Sequence, residues 1–358
     1  MNWLHDHPKD ILKEFVRFPS LSTKEKPLVD WLESEINALN LVQVERFGDN
    51  LVFSLGEGAP WLMLNSHTDV VPPSPNHVGN PFEPVEKNDK IFGRGTVDAK
   101  GCGVSMLRAL LELADEGFQP KGKVSVALTI CEETAGEHNG MHYLRHVVGL
   151  KPDAALIGEP TLLAPCLAQK GMLLVKLVTS GESGHAARVT GPNAISRMGS
   201  VLASLQDIRF KEENPFIGSV KLTPTMITGG TAKNANPEVC EVMVDIRTIP
   251  DVPNSVIIDT LKNLLPCDVH TLSDRFVATQ TDPNSVIAKS CLNHSKKPFF
   301  GSPTASDWVF LADIPCIKIG PGDSTKSHTA DEHIDIAQLE AAVPLYKSII
   351  HDYFETHP

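Results

Sequence analysis

The apolar run WLMLNSH (61–67) has the length and continuity of a buried strand. GCGVSMLRALLELADEG (101–117) follows, with apolar positions at helical spacing up to Gly117. Two more strand-like runs, KVSVALTI (123–130) and DAALIGEP (153–160), complete a β-α-β alternation that predicts an α/β fold: a mostly parallel sheet flanked by helices. From about residue 166 the pattern changes. CLAQKGMLLVKLVTSG (166–181), SVKLTPTMITGG (219–230) and CEVMVDIRTIP (240–250) are strand-like, and NAISRMGSVLASLQDI (193–208) and SVIIDTLKNLL (255–265) are helical, which predicts a smaller α+β unit inserted into the first. After about residue 280 come helix, the strand IPCIKIG (314–320) and a closing helical run, DIAQLEAAVPLYKSIIHDYF (335–354). The expected boundaries are 1–166 and 281–358 for the main domain and 167–280 for the insert.

Composition narrows the class. Of 358 residues, 41% are hydrophobic and 21% charged, as in a packed globular protein of two domains. The net charge of −12 comes without a Lys/Arg-rich run, so a nucleic-acid partner is not expected. The polar start MNWLHDHPKD and the lack of a bilayer-length apolar run predict no membrane partner and a cytoplasmic location. The seven cysteines are scattered and contain no CxxC pair, which fits reduced thiols.

The candidate chemistry lies where the strands end. The run 61–67 closes on His67, and Asp69 follows two residues on; alternate side chains of an extended chain point the same way, so the two leave together. FGRGTVDAKG supplies Asp98, LTICEET supplies Glu132 and Glu133, LIGEP supplies Glu159, and STKSHTADEH supplies His328. Ligands of open α/β sheets gather beyond the carboxyl ends of the strands. Acids converging there repel one another unless a cation holds them ionised. Imidazole and carboxylate without thiolate suit zinc, cobalt or manganese, and two metals sharing one bridging carboxylate use the whole set. A rival group, His138, His142 and His146 in HNGMHYLRH, has one-face helical spacing but lacks the Glu of H-E-x-x-H and contains Gly140.

The ordered motifs H-T-D, G-R-G-T-x-D-x-K-G, C-E-E-T, G-E-P and S-H-T-A-D-E resemble those of the dinuclear zinc hydrolases that include acetylornithine deacetylase, succinyl-diaminopimelate desuccinylase and related carboxypeptidases. SGESGHAAR, GPNAI and VDIRTIP resemble that family's inserted lid and dimerisation domain. The resemblance implies Asp98 as bridging carboxylate, His67 and Glu159 as ligands of one metal, and Glu133 and His328 as ligands of the other. It also implies a cis peptide between Asp98 and Ala99, Asp69 as the partner orienting His67, and Glu132 as the general base serving water and the leaving nitrogen. His185 resembles the insert's oxyanion donor, contributed in several relatives by the partner of a homodimer; Asn234 and Arg247 resemble substrate contacts. The expected activity is removal of an Nα-acetyl group from N-acetylornithine or N-acetylcitrulline in arginine biosynthesis, with two divalent ions, zinc or alternatively cobalt. Desuccinylation, di- or tripeptide cleavage and a non-catalytic binding role are the alternatives.

Overall fold

The computed structural model describes residues 1–77, 79–134 and 138–356. The chain divides into two compact units: Met1–Leu167, Thr281–Phe300 and Ser306–Pro358 form one, and Ala168–Gln280 with Gly301–Ala305 the other. The sequence pattern places 301–305 with the first unit, but Lys170 donates its amide to the Ser302 carbonyl (3.0 Å) and Gly301 lies against Phe216 and Ile217. That contact assigns the segment to the insert.

In the first unit the sheet runs Gln43–Phe47, Asn50–Gly56, Lys123–Thr129, Trp61–His67, Ala154–Ile157, Cys316–Lys318. The last four are mutually parallel and the first two are antiparallel, so this is an α/β domain with a mostly parallel central sheet. Leu62, Met63 and Leu64 are all fully buried, as expected of a strand covered on both faces. On one face Val52, Met63, Ala127, Ala155 and Ile157 pack with Met141, Leu144, Trp308 and Leu311.

Helix Gly101–Asp115 is buried along nearly its whole length and packs on Ile336–Thr356. It stops two residues before Gly117, which adopts φ +75°. There Gly117 donates to Ala114 O and Phe118 to Leu113 O, the paired bonds of a Schellman cap. Helix Pro8–Arg17 starts with proline in its first turn and with His7 accepting the Lys9 amide, then buries Ile11, Leu12, Phe15 and Val16 on one stripe.

The second unit is an antiparallel sheet in the order Lys221–Gly229, Val239–Thr248, Gly171–Ser180, Asp268–Phe276. Strict two-residue alternation of burial along Gly171–Ser180 and Val239–Thr248 turns Leu173, Val175, Leu177, Val242, Val244 and Ile246 into a core with helices Ala194–Asp207 and Asn254–Leu264. Among the described residues no helix is long and apolar enough to cross a membrane.

Candidate metal centre

Four parallel strands bring their carboxyl ends to one edge, at Thr129, His67, Ile157 and Lys318. His67 ends its strand; Asp69, Glu132, Glu133 and Glu159 follow within a few residues of theirs, and His328 enters from a turn beyond Lys318. Asp98 sits between Gly95 and the helix starting at Gly101, with a cis peptide to Ala99. Gly95 takes φ +84°, and a Cβ there would stand 2.6 Å from Val70 Cγ1, so only glycine allows this turn.

Two triads result. His67, Asp98 and Glu159 form one and Asp98, Glu133 and His328 the other, each with its ligand atoms within 4.8 Å of one another. Asp98 faces both ways: Oδ1 lies 3.2 Å from His67 Nε2, and Oδ2 lies 3.4 Å from His328 Nε2. His67 Nε2 is also 3.9 Å from Glu159, and His328 Nε2 is 2.9 Å from Glu133. His67 Nδ1 lies nearest the backbone oxygen of Asp69, at 2.9 Å, with the Asp69 carboxylate at 3.5 Å. A donated Nδ1 proton leaves Nε2 as the lone-pair nitrogen that faces the triad.

The Asp69 carboxylate mainly holds the loop after Thr129, accepting the amides of Glu132 (3.0 Å) and Glu133 (3.1 Å) and the Ser22 hydroxyl (2.7 Å). Glu25 accepts the Cys131 amide at 3.1 Å. Further along, Asp307 accepts from Asn139 Nδ2 (2.7 Å) and Thr129 Oγ1 (3.1 Å). Glu25 and Asp307 are residues the sequence motifs did not single out. Both are only 2% exposed. Asp307→Asn keeps an oxygen for Asn139 Nδ2 but sets an amide N–H against Thr129 Oγ1, whose hydroxyl must then give its proton to Ser66 O (3.2 Å); the expected result is a loss of about 1 kcal/mol of stability, read by denaturant unfolding.

The electrostatics fit cations. Burial raises Glu159 to about 8, with Asp98 adding to the effect. Burial also pushes Glu132 well up, with Glu159, Asp307 and Glu133 adding and His67 opposing. Burial alone would raise Asp98, yet its hydrogen bonds with His328 and His67 hold it well below the usual carboxylate range. Hydrogen bonds to Asp98 and Glu133 lift His328 to about 10. Acids crowded this closely need compensating charge to stay ionised together, and with this donor set hard-to-borderline dications would supply it. The histidine trio is different. His142 and His146 pack as tilted rings with centroids 4.7 Å apart, His142 also packs edge-on against Phe310, and among the described residues neither metal-capable group includes them.

His185, Asn234 and Arg247 belong to the second unit. A short antiparallel bridge pairs His185 with Ala235, and the Ala186 amide donates to Asn234 O at 2.9 Å, which brings the first two together. The Ala187 amide donates to His185 Nδ1 (3.1 Å), so the neutral ring carries its proton on Nε2. Arg247 donates Nε and NH2 to the two oxygens of Asp245 (2.8 and 3.2 Å).

Two imidazole–carboxylate triads at the carboxyl edge of a helix-flanked parallel sheet are a donor set able to hold two metal ions. Residues 63–352 match peptidase family M20/M25/M40. The chain therefore belongs to that family of metallohydrolases, which act on linear amides. It is 28% identical over 379 residues to acetylornithine deacetylase of Klebsiella pneumoniae strain 342, covering 96% of this chain and 97% of that protein. The same enzyme of Proteus mirabilis strain HI4320 is also 28% identical, with 96% of each chain covered. Among solved structures, aminopeptidase PepT of Bacillus cereus shares the fold at a TM-score of 0.80 and 17% identity, covering 97% of this chain and 98% of that one. The YXEP protein of Bacillus subtilis, described as a dinuclear metal-binding peptidase, shares it at 0.77 and 13%, covering 98% of both.

Proposed function

We propose that the protein removes the Nα-acetyl group from a small amino acid, N-acetylornithine or N-acetylcitrulline, in arginine biosynthesis, as a cytoplasmic homodimer with two divalent ions, zinc foremost. The observation that carries the hydrolytic part is the sharing of Asp98 between two triads, with Glu132 next to the ligand Glu133. The substrate rests on near full-length similarity to acetylornithine deacetylases.

In this reading His67 and Glu159 hold one ion, Glu133 and His328 the other, and Asp98 both. Bound there, the ions would polarise the acyl carbonyl and make water acidic enough to ionise near neutral pH. Glu132, raised by burial, takes a proton from the attacking water and delivers it to the departing amine. Asp69 fixes the loop on which that base rides. The Nε2 proton of His185 is the donor to the developing oxyanion, and Asn234 and Arg247 contact the amino acid, the guanidinium suiting its α-carboxylate.

Purified protein should hydrolyse N-acetylornithine or N-acetylcitrulline with a kcat/KM well above those for N-succinyl-diaminopimelate and a dipeptide. Preference for either of the latter would transfer the protein to the desuccinylase or peptidase branch, and no turnover of any of the four would leave a binding role. Elemental analysis in saturating zinc or cobalt should find two ions per chain; a plateau at one would refute the dinuclear reading.

A further inference from the structure

We propose that Glu332 and Arg94 are positioning residues that lock the Asp98 turn to the His328 turn, so that the geometry of both triads depends on one buried ion pair. The inference rests on reading the triads as metal sites. Glu332 and Arg94 are each 1% exposed. Glu332 Oε1 collects the amides of Gly95 (2.9 Å), Val97 (3.1 Å) and Asp98 (3.3 Å), while Oε2 accepts from Arg94 NH1. Arg94 NH2 also reaches the carbonyl of His328 (3.5 Å), and the Gly93 amide donates to the Glu332 carbonyl (3.1 Å).

Three convergent amides are a concavity that an anion fills, and here the anion is built into the chain. The Asp98 amide itself is one of them, so the carboxylate that faces both histidines hangs from a turn whose backbone Glu332 defines. The return connection is short: Glu332 lies four residues beyond His328 on the same turn. A single rotation of the Asp98 turn therefore displaces a ligand of both ions at once, whereas a change at Glu159 or Glu133 disturbs only its own triad. Coupled loss is the signature of this arrangement.

The test is calorimetric titration of metal-stripped protein with Co²⁺, alongside thermal unfolding of the same metal-free samples. In Glu332→Gln the neutral side chain sets an amide N–H against Arg94 or against the three backbone donors, and affinity for both ions should fall by about 10–100-fold, the usual scale for partners that orient ligands. In Glu159→Gln the loss should fall on one ion. Glu332→Gln with both affinities at the wild-type level, or with only one reduced, overturns the proposal. Should the single variant fail to fold because Arg94 is left buried and unpaired, Arg94→Met with Glu332→Gln removes that charge, and the folded double variant must still bind both ions more weakly; wild-type affinities would again overturn it. Wild-type protein that takes up no Co²⁺ would instead refute the metal reading on which the proposal stands.

Discussion

Glutamine at position 132 will leave two ions bound per chain and lower turnover by at least about 10²-fold, the scale of losing a general base. The geometry separates these two properties. Glu132 belongs to neither triad, and what anchors it is its own backbone amide on Asp69, a bond that the Glu132→Gln side chain does not alter. Its neighbour Glu133 reaches His328 directly and does belong to a triad. The measurements are metal content and kcat on the same preparation. A variant that lost ions and activity together would move Glu132 among the ligands.

The second large effect is expected at His185. The ring is exposed, and its Nδ1 is occupied by the Ala187 amide, so the proton it can give to an oxyanion sits on the opposite nitrogen. Removing one such donor typically costs about 10²–10³ in kcat. His185→Ala should show that loss with metal content intact. If His185 serves the partner's centre in a two-fold dimer, His185→Ala and Glu132→Ala homodimers will each be nearly inactive, and their mixed dimers will regain activity at one of two sites. Verified heterodimers without recovery would assign His185 to its own chain.

The convergence of the candidate metal-binding residues is legible because it obeys a rule of topology. Parallel strands must all end on the same side, so acids and histidines placed just after apolar runs meet there however far apart they stand in sequence. Glu25, Asp307 and Glu332 escape that logic: their carboxylates meet backbone amides, neutral side chains or, for Glu332, also the Arg94 guanidinium, and nothing in a sequence marks which amides will be left without a partner by a turn. For Glu332 and Arg94 a signal existed, since both stand inside the quoted S-H-T-A-D-E and G-R-G-T-x-D-x-K-G stretches, but as letters rather than as contacts. The strand Asp268–Phe276 was missed for a different reason. It is an edge strand with exposed positions on both faces, so no two-residue hydrophobic rhythm distinguishes it from a loop. The run 166–181 read as one strand and is two, divided at Lys170 where the backbone turns to bond Ser302.

If the two triads bind ions as proposed, the spread of their residues along the chain would give those ions a role in the life of the protein as well as in its chemistry. His67, Asp98, Glu133, Glu159 and His328 come from five separate segments, and an ion that joins three of them would hold closed loops that an unfolded chain closes only at an entropic cost. Occupancy would thus act as a molecular staple on the first unit, contributing about 2.7 kcal/mol per site when free ion stands at a hundred times its Kd. Withdrawing the metal would then cost more than turnover, because a chain without that staple would open more often and be cut more readily by proteases.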